Sequence, residues 1–144
     1  MNTIDNELSI LEEKLNNVIT DTIGIVDTYI TQLSILRADN GIPLSDAHKK
    51  LYYPFATQLT SICDTAETIN VGVALAIKRS ELECNIQAID RSGKLLETYI
   101  DFRHTIEEFL DSAESALNAS PFSPSVLARI TDTLSRQLSH LLRK

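Results

Sequence analysis

Four apolar stripes at helical spacing, separated by Gly, Pro and capping residues, predict an all-α fold. The form expected is an antiparallel bundle of three long helices, at about 3–38, 45–79 and 80–118, with a shorter C-terminal helix at 124–143. The strongest stripe lies between Leu95 and Asn118. Leu95, Leu96, Tyr99, Ile100, Phe102, Ile106, Phe109 and Leu110 fill roughly half of a helical wheel, and Lys94, Glu97, Asp101, His104, Thr105, Glu108 and Ser112 fill most of the rest. A second observation is the stop chemistry of Asn40-Gly41-Ile42-Pro43. A third is the change of apolar face at Lys78-Arg79-Ser80, beyond which Leu82, Ile86 and Ile89 fall nearly opposite Val73 and Ile77.

The first helix is carried by Ile4, Leu8, Leu11, Leu15, Val18, Ile19, Val26, Tyr29, Ile30 and Leu33, with Thr3 or Asp5 as cap. The second opens at Ser45 or Asp46 and keeps Leu51, Phe55, Leu59, Ile62, Ala66, Ile69, Val73 and Ile77 on one face. Pro54 removes a helical hydrogen bond, so residues 46–53 read as a separate short turn with Pro54 at the first position of the main helix. Ser80-Glu81-Leu82-Glu83 reads as a capping box that starts the third helix, with a stripe of Leu82, Ile86, Ile89, Gly93, Leu96 and Ile100. Gly24 and Gly93 are expected where helices approach closely. The last helix has Ser123 as cap, Pro124 at its first position and Val126, Leu127, Ile130, Leu134, Leu138, Leu141 and Leu142 on one side.

An α+β alternative remains open at about 71–102. Glu81 to Ala88 alternates polar with apolar, Val71 to Ile77 alternates large with small, and Asp90-Arg91-Ser92-Gly93 suits a hairpin turn, so a three-stranded meander flanked by helices is the rival. Against it, Leu95, Leu96, Tyr99 and Ile100 form adjacent pairs one turn apart, which a strand would split between two faces.

At 144 residues, 43% hydrophobic and 23% charged, the chain is sized for a single helical domain over 1–144. Its net charge of −7 opposes general affinity for nucleic acid or anionic membrane. The opening residues lack a signal-like pattern, and no uncharged apolar run approaches the roughly 18 residues of a membrane span, so a cytoplasmic location is expected. Cys63 and Cys84 form no CxxC pair and read as core thiols.

The candidate chemistry is sparse. Glu97, Asp101, His104 and Glu108 stack on one face, but the Glu-x-x-His repeat of a helical di-metal site is missing, so the stripe reads as a solvated acidic face, with no metal and no cofactor called for. Arg103 and Glu107 lie inside the apolar arc and, with Tyr99 and Ile106, form the first candidate interaction strip. Residues 121–144 hold Arg129, Arg136, Arg143 and Lys144 against Asp132 alone, on a body that is otherwise acidic. Arg129, Arg136, His140 and Arg143 share the side away from the leucines, which makes this basic amphipathic helix the second candidate contact surface. Arg136-x-x-x-His140 is similar to the Arg-x(4 to 6)-His pair of HEPN helical nucleases, one residue shorter, and a resemblance of two residues assigns no family. No Gly-x-Ser-x-Gly, phosphate-binding glycine loop or His-Glu-x-x-His motif is present, so the chain is not expected to be an enzyme.

The function expected is therefore non-enzymatic: a coiled-coil-like helical bundle that binds a protein partner or itself, as an adaptor, regulatory subunit or small structural component. A small-molecule sensor and a helical enzyme such as a nuclease are the alternatives.

Overall fold

The computed structural model describes residues 3–37 and 41–142. Helix α1 spans Thr3–Ile35, α2 Leu44–Leu82, α3 Ile86–Leu117 and α4 Pro124–Leu141. No β-strand forms among the described residues, so the meander is replaced by the end of α2 and the first half of α3. Arg79 near the end of α2 meets Glu7 near the start of α1, and Tyr52 early in α2 meets Leu110 late in α3, so consecutive helices run antiparallel. Helix α1 touches all three others, whereas α2 and α4 do not touch, which gives the bundle a rhombic cross-section with α1 and α3 across the short diagonal.

The α1 face is a near-heptad series of Ile4, Leu8, Leu15, Ile19, Val26 and Tyr29. Where the core holds a Ser or Thr instead of a hydrocarbon, its hydroxyl proton turns back to the preceding turn of its own helix. Thr22 donates to the Val18 carbonyl at 2.6 Å, Ser80 to Ala76 at 2.6 Å, Ser92 to Ala88 at 2.7 Å and Thr131 to Leu127 at 2.8 Å. These small side chains are thus satisfied without a partner helix and let backbones come close. The tightest glycine is Gly72, where a Cβ would lie 3.0 Å from Leu11 Cδ2. Gly24 and Gly93, expected at close approaches, have open space where a Cβ would stand.

Three boundaries differ from the sequence reading. Helix α2 begins at Leu44 and passes through Pro54 unbroken. The turns before Pro54 bury His48 and Tyr52, and this packing outweighs a proline cost of about 3 kcal/mol. Helix α1 is described as ending at Ile35, and Ala38 to Asn40 lie outside the described residues, while Gly41 takes the left-handed φ of 82° that follows such a stop.

The third difference is the break between α2 and α3, which falls at 83–85 and not at Ser80. Arg79 and Glu83 pair along the helix, so α2 continues past the supposed capping box. It closes in a Schellman motif: Asn85 N–H donates to the Ser80 carbonyl at 3.0 Å and Cys84 N–H to Glu81 at 3.1 Å. Cys84 holds φ 54°, the position usually given to glycine, and stands exposed outside the core. Asn85 caps α3 by accepting from Ala88 N–H at 3.1 Å.

Moving the break rotates α3. Its core face is Ala88, Ser92, Leu95, Tyr99, Phe102, Ile106, Phe109 and Ala113, while Leu82, Ile86, Ile89 and Ile100 of the expected stripe are exposed. No helix among the described residues is long and apolar enough to cross a membrane.

Candidate functional site

The two candidate surfaces fare differently. On α3, Tyr99 and Ile106 are buried in the core, whereas Arg103 and Glu107 lie on the outside, joined to each other at 2.9 Å along the helix. Arg103 also donates to the Tyr99 hydroxyl at 3.3 Å. These hydrogen bonds, to Glu107 first and then Tyr99, raise the Arg103 pKa further above its ordinary value. The expected strip is thus divided: its apolar members belong to the core, and its charges satisfy one another along one helix, not across a helix interface. Beside them Cys63 of α2 is half-buried, and burial with the nearby Glu107 carboxylate pushes its thiol up to about 11, which keeps it protonated and unreactive.

On α4 the leucines Leu127, Leu134, Leu138 and Leu141 enter the core, and Arg129, Arg136 and His140 point outward. Arg143 lies outside the described residues. Ser123 holds the cap position expected of it, but its Oγ lies 3.0 Å from Ser125 Oγ and caps nothing. The helix is fixed laterally to α1 by Ser135, which donates to Asp27 at 3.0 Å.

A groove of about 540 Å³ runs between α3 and α4. Asp101, His104 and Thr105 line one wall and Thr133, Arg136 and His140 the other. The acidic stripe and the basic helix, read from sequence as unrelated features, therefore share one groove. His104 Nε2 lies 3.1 Å from Glu108, within its own helix. Among the described residues no three imidazole, carboxylate or thiol groups come close enough to hold a metal ion.

The chain matches no protein-family model, no curated protein and no solved structure. The site must be read from its own geometry.

The sequence reading missed the row that is most exposed. Val71, Leu75 and Leu82 follow one another at i, i+4 and i+11 on α2, with Lys78 between the last two, and are 59%, 66% and 79% exposed. Ile86, across the turn, is 79% exposed. Asp64 and Glu67 continue the same face toward the start of α2, and neither forms an ion pair among the described residues. The signal was present in the wheel, but placing the break at Ser80 assigned Leu82 and Ile86 to a buried stripe of α3.

Proposed function

We propose that the chain is a non-enzymatic helical-bundle protein that works by binding another protein through the α2 row Val71, Leu75 and Leu82 and the adjoining Ile86. The observation that carries this reading is a row of large aliphatic side chains left in water on a helix whose opposite face is fully packed. Isolated apolar side chains on a surface call for no explanation, whereas a row on one face is the usual mark of an interface. Its continuation into Asp64 and Glu67 specifies the partner: an amphipathic helix with an apolar stripe next to a lysine or arginine cluster, laid along α2. The overall charge of −7 supports a basic partner and opposes nucleic acid as the target. The free, exposed thiol of Cys84 suits a reducing compartment, and we place the protein in the cytoplasm on that ground.

The probe is a synthetic amphipathic helix with a leucine stripe followed by lysines, and a scrambled peptide of equal composition is its control. Leu75→Glu with Leu82→Glu should lower affinity for the patterned peptide about tenfold, the equivalent of roughly 1.4 kcal/mol. The same variant should melt at the wild-type temperature, because exposed substitutions shift stability by no more than about 0.5 kcal/mol. Equal binding by wild type and variant, or by both peptides, would sink the reading. Light scattering over a wide dilution range supplies the remaining outcome: a dimer that Leu75→Glu with Leu82→Glu dissolves would make a second copy the occupant and overturn the basic partner.

A further inference from the structure

We infer that the groove between α3 and α4 binds a small phosphomonoester, with Arg136 and His104 on its phosphoryl group. Arg79 pairs with Glu7 and Glu83, Arg91 with Asp5 and Glu12, and Arg103 with Glu107. In this acidic protein Arg136 nonetheless forms no ion pair among the described residues, and its one hydrogen bond is a long 3.4 Å contact to the Thr133 hydroxyl. Arg37 and Arg129 likewise form no ion pair among the described residues, but both lie outside the groove. A guanidinium in a groove with no carboxylate against it keeps its planar set of donors for an incoming anion, and phosphate oxygens match that set two at a time.

The surroundings fit a phosphoryl group better than a bare carboxylate. Thr133, one turn from Arg136 on α4, already donates to the Arg129 carbonyl at 3.0 Å, so the hydroxyl that accompanies the guanidinium is that of Thr105 on the facing wall. His104 sits with Nε2 against Glu108, and in the protonated ring the other nitrogen is a further donor from α3. A phosphomonoester carries three non-bridging oxygens, enough to use donors from both walls at once. Asp101 is the carboxylate in the lining, and it is engaged in a contact of its own. The register of the helices places it toward the other end: Thr133 also faces Glu108 and Ser112, while Leu141 lies against Leu95 and Thr98. At about 540 Å³ the groove is larger than one phosphate ion needs and lies in the range of small-molecule sites. Gln137 and His140 supply paired donors and acceptors along it, which suits a hydroxylated body such as a sugar.

Titrating the full chain with inorganic phosphate, ribose 5-phosphate and ribose, followed by the backbone amide and imidazole resonances, tests this. The expected result is saturable movement of the His104 and His140 ring signals with ribose 5-phosphate, weaker binding of inorganic phosphate and none of ribose. The buried His48 ring serves as the internal reference. Arg136→Gln should weaken ribose 5-phosphate about tenfold or more, as expected for loss of a charge-assisted pair, and Arg129→Gln should not. Both side chains are exposed, so both variants fold. Equal effects of the two substitutions would show attraction to a basic helix with no defined site, and unmoved histidine signals would show an empty groove. Either overturns the inference.

Discussion

The two ends of the bundle are closed by different means. At the end holding the α3–α4 connection the core is aromatic: Tyr29 stacks on Phe55 at 4.0 Å with planes 8° apart, Phe109 meets Phe55 edge-on at 5.8 Å, and Phe122 covers His48 at 4.9 Å. At the α2–α3 corner α2 and α3 close in on small residues, Ala76, Ser80, Ala88 and Ser92, while the start of α1 contributes buried Ile4 and Leu8 and arginines span the outside. Arg91 reaches Asp5 at 3.4 Å and Glu12 at 2.5 Å, and Arg79 reaches Glu7 at 2.7 Å. Bulk therefore seals one end. At the other, close approach leaves less interior to fill, and large side chains such as Leu82 and Ile86 remain outside, where the proposed partner would meet them.

The largest effect should follow from emptying the aromatic end. Phe109→Ala removes a ring that touches both Phe55 and Tyr52, and a loss of about 3 to 5 kcal/mol is expected by denaturant unfolding. A loss under about 1 kcal/mol would mean that the neighbouring rings collapse into the space, and the contrast between the ends would weaken. At the corner the sign reverses. Cys84→Gly relieves a side chain held in left-handed backbone and should raise stability by about 1 kcal/mol, with a higher melting temperature.

The smallest effect concerns acid. Burial holds the His48 imidazole below the ordinary histidine value of 6.5, and its Nδ1 has no hydrogen-bond partner among the described residues. The unfolded chain therefore takes up this proton first as pH falls. The contribution of His48 is complete above about pH 6.5 and is lost progressively below it. His48→Phe should flatten that part of the profile, measured as the difference between the pH–stability curves of the two proteins. Parallel curves would show that the ring charges without disturbing Phe122.

Much of the fold was legible because its punctuation was ordinary. Gly41 takes positive φ and Pro124 opens α4, as the sequence indicates. Tyr99, Phe102, Ile106 and Phe109 are buried as the wheel requires, although Ile100 of the same stripe is exposed. The α2–α3 corner was misplaced because a cysteine occupies the glycine position of its helix stop, and no residue type announces that. Pro54 was misread because its local cost is visible in sequence, whereas the burial of His48 and Tyr52 that offsets it is tertiary. The groove was legible only in halves: His104 and Arg136 lie on different helices, and periodicity within one helix carries no information about which face a neighbour presents.

The hydrogen bond from Ser135 to Asp27 joins residues 108 positions apart. On a ribosome adding roughly 5 to 20 residues per second, α1 must wait several seconds or more for its last neighbour. During that interval α2 and α3 can pair with α1 and with each other, while the side of α1 reserved for α4 stays bare. A chain in which only α1, α2 and α3 have docked would leave that apolar flank of α1 in water until the leucines of α4 close it.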